Sequence, residues 1–270
     1  MNPFAFACFT PHGSEVIADL SQPDVGLMAR TRESMERLGR DMSAAQPEVI
    51  VVLTPHGLRV AGQFVVADSE VMVGEVEDHG GVVRMVRRVD RSLAKTIAEA
   101  AKNQGLPIAL ANFGTSAGPL SILPLDWGTI VPLYFMPETP VVVVSPSREL
   151  DFAQHLAMGS VLAEAVVATH KRVGLIASCD WAHTHTAKGP YGYHRAAKEL
   201  DMQVLSLVQA NNLEAMAEFP LDWVEQAKPD GIWQALILAG AIPHRDRKIE
   251  LVSYELPTYF GLLCAGVRGA

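Results

Sequence analysis

Short runs of consecutive apolar, β-branched residues recur along the chain and are bounded by Pro, Gly, Ser or Asp. The run at 141–144 is four valines in succession. Strands that are apolar on both faces are typical of a sheet covered by other layers on both sides. Runs of this kind predict about ten strands, at 4–9, 49–53, 63–67, 82–89, 108–113, 131–136, 141–144, 173–177, 250–254 and 261–267.

Helical patterns fill the intervals between these strands. Apolar spacing predicts helices at 24–45, 90–103, 148–170 and 195–209. The segment 231–241 is apolar except for Gln234 and is compatible with a strand or a buried helix, of which we expect the helix. The alternation predicts an α/β protein, a three-layer α/β/α arrangement around a central mixed, largely parallel sheet. No Pro/Ser-rich linker divides the chain, so 1–270 is expected to be one domain, and the acidic, glycine-rich segment 70–81 a mobile loop.

Composition narrows the class of protein. The chain has 270 residues, of which 49% are apolar, and a formal net charge of -8. A chain this long and apolar can bury a large core, and its negative charge disfavours a nucleic acid partner. Three isolated cysteines, an odd number without a CxxC pair, predict a reduced, cytoplasmic setting. Neither a membrane-spanning segment nor a signal peptide is expected.

The tetrapeptide Thr-Pro-His-Gly occurs twice, at 10–13 and 54–57, each time directly after an apolar strand. Ligands of open α/β sheets bind at the carboxyl ends of the strands, so the two histidines can point into one pocket. His12 and His56 are therefore candidate metal ligands. The alternative is that each motif is a turn that ends a strand and exposes its histidine.

A second histidine cluster follows the predicted strand at 173–177. Because an imidazole exchanges protons near neutral pH, His183 or His185 is a candidate acid/base group. Asp180 stands three positions before His183, where it could fix the tautomer of that ring. The alternative is a helix-capping aspartate followed by solvated histidines.

A third element is Glu255, the lone acidic residue in the otherwise apolar stretch 251–265. A buried carboxylate is costly unless it is paired or binds a metal. Two histidines and one carboxylate form the facial triad of non-haem Fe(II) proteins, which predicts iron at His12, His56 and Glu255. The same set binds Zn(II) with one position open for water, as in a hydrolase. Alternatively, Glu255 faces water on an edge strand.

These motifs together resemble the class III extradiol ring-cleavage dioxygenases, the superfamily of the catalytic β subunit of protocatechuate 4,5-dioxygenase. The resemblance covers most of the chain. It rests on the two Thr-Pro-His-Gly motifs, the Ser-x-Asp-x-x-His segment at 178–183, Gly-Pro-Tyr-Gly at 189–192, Leu-Asp-Trp-Gly at 125–128 before Val-Pro-Leu at 131–133, and the late glutamate. It implies a helix-flanked mixed sheet, the same three iron ligands and His183 as the acid/base residue.

The resemblance also implies an activity in aromatic compound catabolism. The expected reaction is extradiol cleavage of a catechol-type or 2-aminophenol-type ring with O2, and substrate contacts are expected from His185, Tyr191, His194 and Trp127. Many family members carry a histidine where this chain has Trp127, which favours either an aromatic substrate wall or a relative without dioxygenase activity. The alternatives are a Memo-like metal-binding protein and a divalent-metal hydrolase. Some relatives are homo-oligomers and others use a small subunit; we expect a homodimer, and no membrane partner.

Overall fold

The computed structural model describes residues 2–270. Across these residues the strands are β1 (Phe6–Thr10), β2 (Val49–Leu53), β3 (Phe64–Ala67), β4 (Val71–Asp78), β5 (Gly81–Arg88), β6 (Ile108–Ala111), β7 (Ile122–Pro124), β8 (Val141–Ser145), β9 (Val173–Ser178), β10 (Arg247–Glu255) and β11 (Leu262–Gly269). The α-helices are α1 (Ala29–Ala44), α2 (Arg91–Asn103), α3 (Trp127–Tyr134), α4 (Phe152–Thr169), α5 (Ala196–Gln209), α6 (Leu221–Ala227) and α7 (Ile232–Ala241).

The main sheet has eight strands in the order β10-β11-β1-β9-β2-β8-β3-β6. The four central strands β1, β9, β2 and β8 run parallel, whereas β11 and β3 pair antiparallel to their central neighbours. The carboxyl ends of the parallel strands therefore meet at one edge, where Thr10 lies opposite Ser178. This confirms the predicted mixed, largely parallel sheet.

Helices cover both faces of this sheet, as the apolar strands predict. Along β2, Val49, Val51 and Leu53 enter one hydrophobic cluster, while Ile50 and Val52 enter another. The first cluster is completed by α2, α4, α5 and α7, and the second by α1, α3 and a three-stranded sheet of β5, β4 and β7. The α/β/α prediction is confirmed, with part of one outer layer built from strands.

Two local predictions are wrong. The segment 131–136, predicted as a strand, lies mostly in α3, whose first turn is held where the Asp126 carboxylate accepts a hydrogen bond from the Thr129 hydroxyl at 2.9 Å. The segment 70–81, predicted as a mobile loop, contains β4 and the turn of a hairpin with β5. That turn places His79 and Gly80 at φ 46° and 80°, as a two-residue hairpin requires.

Helix α4 is the one helix in residues 2–270 whose length and composition would let it cross a membrane. Its first turn carries a capping box between Asp151 and Gln154, and it packs against α2 and α7. Residues such as Phe152, Met158 and Leu162 lie in the first hydrophobic cluster. The helix is a core element of this fold.

His155 on α4 is fully buried and gives the fold a pH dependence. Its Nδ1–H donates to the Asp151 carbonyl at 2.7 Å, its ring packs edge-on to Phe64, and Nε2 has no hydrogen-bond partner in the described chain. Burial lowers the pKa of this imidazole to about 4. Because the unfolded chain titrates near 6.5, it binds more protons than the folded chain between about pH 4 and 6.5.

We therefore expect the free energy of unfolding to fall as the pH drops through that window, with His155 contributing up to about 3 kcal/mol. Urea denaturation of the wild type and His155→Gln at pH 7 and pH 4.5 measures the effect, and the variant should lose less stability on acidification. His170→Asn, at the exposed end of the same helix, is the control. Equal losses for His155→Gln and the wild type would contradict the assignment.

Candidate functional site

His12 and His56 follow β1 and β2, and β9 lies between those two strands in the sheet. Their Nε2 atoms are 3.1 Å apart, and the two rings meet edge to face. His12 is buried, whereas a quarter of the His56 side chain is exposed. The structure thus brings the two Thr-Pro-His-Gly histidines into one pocket, at the edge of the sheet that the sequence indicates.

The two turns are held in different ways. The His56 N–H donates to the Thr54 hydroxyl at 3.2 Å, and that hydroxyl donates to Asp126 at 2.6 Å. The His12 N–H instead donates to the Asp180 carboxylate at 3.0 Å. A β-carbon on Gly57 would lie 2.3 Å from the Ser145 hydroxyl oxygen, so the second motif requires glycine at its last position.

Hydrogen bonds around Ser178 determine which nitrogen of His12 carries a proton. The Ser178 hydroxyl donates its only hydrogen to the Gly128 carbonyl, so it can only accept from His12 Nδ1, 2.9 Å away. Nδ1 is therefore protonated, and in the neutral ring Nε2 carries the lone pair. That lone pair faces the other candidate ligand, His56 Nε2, so it is available to a metal ion bound between the two rings.

The carboxylate beside the two histidines is Asp230, just before α7. Its Oδ2 lies 3.2 Å from His12 Nε2 and 3.4 Å from His56 Nε2, while Oδ1 accepts from the Asp180 N–H at 2.9 Å. Asp180 Oδ2 is 3.4 Å from His12 Nε2. Ligands about 2.0–2.2 Å from a common ion are separated by roughly 3.0–3.4 Å. His12, His56 and Asp230 therefore fit a metal ion.

The structure does not bring Glu255 to this group, which corrects the sequence-based ligand set. Glu255 Oε2 accepts from the backbone N–H of Thr31 at 2.9 Å and from its hydroxyl at 2.5 Å, in the first turn of α1. The free N–H groups of a helix N-terminus attract a carboxylate, which accounts for a half-buried acid in an apolar stretch. Asp230 stands in the place that the sequence analysis gave to Glu255.

The two carboxylates of the cluster, Asp180 and Asp230, favour a positive charge beside them. Burial opposes protonation of His12, but Asp180 and Asp230 outweigh it and raise the His12 pKa to about 9. Burial raises the pKa of Asp180 to about 7. Burial also opposes ionisation of Asp230, yet His12 and His56 outweigh it and lower the Asp230 pKa. A proton on His12 balances these carboxylates, and a divalent cation would compete with that proton.

His183 lies at the entrance to the cluster. Its Nδ1–H donates to the Lys228 carbonyl at 2.8 Å, and its ring stacks on Phe260 with the centroids 5.3 Å apart. Burial lowers the pKa of His183, which favours the neutral ring at pH 7, and the bond to Lys228 leaves Nε2 as the proton acceptor. The sequence analysis expected Asp180 to bond the His183 ring. In the structure the Asp180 carboxylate faces His12 instead.

Two adjoining cavities open onto the cluster, with volumes of about 310 and 510 Å³. His56, His183 and Tyr191 line both of them. Trp127 lines the smaller cavity and stacks on His56 with the ring centroids 4.1 Å apart. Of the expected substrate contacts, Tyr191 and Trp127 therefore lie at the site.

The other two expected substrate contacts are engaged elsewhere. His185 Nε2 bonds the buried Asp201 carboxylate at 2.8 Å, and the same carboxylate accepts from the Tyr254 hydroxyl at 2.6 Å. His194 Nδ1 accepts from the Ala196 N–H at the start of α5. Neither histidine lines the two cavities in the part of the chain that the structure describes.

Sequence reasoning missed Asp230. It stands in Lys-Pro-Asp-Gly at 228–231, where Pro, Asp and Gly indicate a turn before a helix and where an aspartate is an ordinary capping residue. A signal was available, because 231–241 is apolar except for Gln234 and a fully buried helix places its first residues inside the protein. The strand pattern predicts ligand positions at the ends of strands and gives no reason to select this helix start.

The fold and this site define a class: α/β proteins with a histidine and carboxylate cluster that can hold a metal at the carboxyl edge of the sheet. The family model for the catalytic LigB subunit of aromatic ring-opening dioxygenase matches residues 6–263. The chain belongs to this family. Its relationship to the aromatic ring-opening dioxygenases is thereby established at the level of the superfamily.

The chain is similar to a curated protein in sequence and to a solved structure in fold. Protein CA_C1420 of Clostridium acetobutylicum is 26% identical over 250 residues, which cover 91% of this chain and 53% of that protein. The chain thus spans about half the length of this curated relative. A crystal structure of an uncharacterized protein, JW3007 of Escherichia coli K12, is 18% identical with a TM-score of 0.66, over 97% of this chain and 98% of the other. This likeness shows a shared fold.

Proposed function

We propose that this protein is a non-haem Fe(II)-dependent extradiol dioxygenase that opens the ring of a catechol-type or 2-aminophenol-type aromatic and incorporates both atoms of O2. The observation that carries the proposal is the convergence of His12 Nε2, His56 Nε2 and Asp230 Oδ2 within 3.1–3.4 Å of one another. Two histidines and one carboxylate are the ligands typical of non-haem Fe(II) oxygenases. Membership of the ring-opening family supports the same reaction.

Bound iron would supply the electron transfer between a coordinated diol and O2. The protein's own groups do the rest. His183 accepts a proton from a substrate hydroxyl at Nε2, because its other nitrogen is fixed on Lys228 and its ring is neutral. Trp127, Tyr191 and Phe260 provide aromatic walls for a flat ring. Trp127 can donate one hydrogen bond from its indole N–H but cannot act as an acid or base at neutral pH, so we assign it to substrate binding.

His183→Ala is expected to lower kcat by about 10²–10⁴, the usual contribution of a general base, while bound iron stays near one per chain. Steady-state kinetics and metal analysis of the same preparation test this. A parallel fall in rate and iron content would identify His183 as a ligand instead. His194→Ala is the control, since that histidine lies outside both cavities.

The proposed function is tested by oxygen uptake and absorbance after anaerobic Fe(II) loading, with catechol, protocatechuate, gallate and 2-aminophenol. Substrate-dependent uptake with a new ring-fission chromophore, absent in His12→Ala, is the expected result. Iron-loaded protein that consumes no oxygen with any of these compounds would contradict the proposal.

A divalent-metal hydrolase is the second candidate, and one observation favours it. Asp230 belongs to two groups of possible ligands, His12–His56–Asp230 and Asp180–His183–Asp230, each gathered within 4.8 Å. A shared carboxylate between two ligand groups is the arrangement of two-metal hydrolases. Two Zn(II) ions per chain and no oxygen uptake would favour this candidate, and one ion without either activity would favour a Memo-like metal-binding protein.

We also propose that residues 1–270 form one catalytic domain that acts as a cytoplasmic homodimer. The terminal strands β1 and β11 are neighbours in one sheet, which supports a single domain. The three cysteines are free and buried, which supports a reducing compartment. Val73, Val82 and Val86 are exposed on the small sheet and offer an apolar surface for a second copy. A separate small subunit stays a prediction.

A further inference from the structure

Arg148 lies just after β8, at the same edge of the sheet as His12 and His56. Its guanidinium carbon is 4.7 Å from the centroid of the Trp233 ring, which is almost completely buried. Arg148 lines the larger cavity together with His56, His183 and Asp230. A solvent-exposed cation is thus held against an aromatic face at the wall of the cavity that reaches the candidate metal ligands.

This guanidinium has no hydrogen bond or ion pair within residues 2–270. By contrast, Arg91 binds both Asp68 and Glu70, and the buried Arg247 is paired with Glu214. Lys228 in the same cavity is paired with Glu225 at 2.5 Å. Arg148 is exposed to solvent at this cavity, so its unpaired N–H donors can reach a molecule bound there, an arrangement suited to an anionic ligand.

The electrostatic surroundings agree with this reading. Partial burial lowers the pKa of Arg148, and the nearby Arg59 acts in the same direction, while Asp230 opposes both. The chain carries a net charge of -8 and therefore repels anions in general. An unpaired guanidinium beside a cavity is a local exception, because it attracts them. A planar fork whose face is occupied by a tryptophan leaves its edge for bidentate binding of a carboxylate.

We propose that Arg148, seated on Trp233, forms a carboxylate-binding subsite that selects aromatic substrates with an acidic side group. The aromatic ring of such a substrate lies at the cavity wall shared by His56, His183 and Tyr191, and its carboxylate reaches Arg148. The chemical class of the substrate rests on the proposed function, whereas binding of the carboxylate does not require turnover.

The rival explanation is that Arg148 only balances the charge of Asp230. If Arg148 only balanced the charge of Asp230, its removal would weaken metal retention. The protein would then lose affinity equally for charged and for neutral ligands. A subsite would instead distinguish an acid from its neutral amide while the metal stays bound. The two explanations therefore predict different outcomes for the same variant.

The test measures binding of dihydroxyphenyl acids and their primary amides to anaerobic protein by calorimetry, with zero, one or two methylenes between ring and carboxyl group. The wild type should bind one acid about 10- to 100-fold more tightly than its amide, the range for a charged hydrogen bond. Arg148→Met, which keeps an apolar stem on Trp233, should remove that preference. Arg148→Lys should retain part of it, and Arg59→Met should leave the ratio within about threefold of the wild type.

An unchanged acid-to-amide ratio in Arg148→Met would overturn the inference. So would equal losses for acid and amide, a fall in bound metal, or no measurable binding of any acid by the wild type. A ratio that changes as expected in a protein that consumes no oxygen would leave the subsite standing and reject the dioxygenase proposal. Oxygen uptake together with an acid-to-amide affinity ratio that does not depend on Arg148 would support the dioxygenase proposal and reject the subsite.

Discussion

Asp230→Asn is expected to weaken metal binding by more than about 100-fold, above the effect typical of a residue that only orients a ligand. The amide preserves the size of the side chain and can still accept from the Asp180 N–H. It removes the negative charge that lies 3.2 and 3.4 Å from the two histidine nitrogens. Titration of the metal-free protein with Fe(II) under anaerobic conditions, and with Zn(II), measures the loss.

Glu255→Gln is the matched control, because it makes the same change in the carboxylate that the sequence alone favours. It should keep wild-type metal affinity and lower the free energy of unfolding by about 1 kcal/mol, since the charge at the first turn of α1 is lost. The opposite pattern, with metal lost in Glu255→Gln and kept in Asp230→Asn, would restore Glu255 as the ligand and reduce Asp230 to an orienting residue.

Arg247→Ala is expected to lower the free energy of unfolding by about 3–5 kcal/mol, the cost of breaking a buried ion pair. Arg247 is 1% exposed and binds both oxygens of Glu214, at 2.9 and 2.6 Å. It also donates to the carbonyls of Asn211, Ala239 and Ile242. Truncation removes a donor from each of these acceptors and opens a cavity. Equilibrium denaturation in guanidinium chloride measures the change.

Arg268→Ala provides the comparison, since it removes the same side chain from a pair on the surface. Arg268 is bonded to Asp41 at 3.1 Å and more than half of its side chain is exposed, so we expect a loss below about 1 kcal/mol. Similar small losses for the two variants would show that the Arg247 network contributes little to stability.

The sequence predicts the sheet well because its central strands are buried on both faces and their apolar runs are unambiguous. It fails at 131–136, where Val-Pro-Leu reads as a strand although Asp126 starts a helix before it. It also fails at 70–81, whose glycines and acids suggest a loop. There, alternate exposure along β4 and a glycine turn make a hairpin, and pairing with β5 decides the outcome.

The same contrast holds for the candidate site: residues at the ends of buried strands are predictable, and a residue placed by packing alone is not. His12, His56 and His183 are predictable because they come directly after strands, and the parallel sheet brings those ends together. Asp230 enters from a helix start, which only tertiary packing places beside the histidines. Arg148 also follows a parallel strand, β8, but its contact with Trp233 depends on the packing of α7. Glu255 misleads because burial of a carboxylate has two explanations, a metal ion or a helix N-terminus, and the sequence does not distinguish them.

The proposed ligands are far apart in the chain, with His12 and Asp230 separated by 218 positions. Closing so long a loop costs conformational entropy, and a chain in which α7 has not docked lacks Asp230 at the site. A bound ion would therefore add its binding free energy to the stability of the complete fold alone. Metal occupancy would then report how much of a population is fully folded, and chelation would shift the midpoint of thermal unfolding.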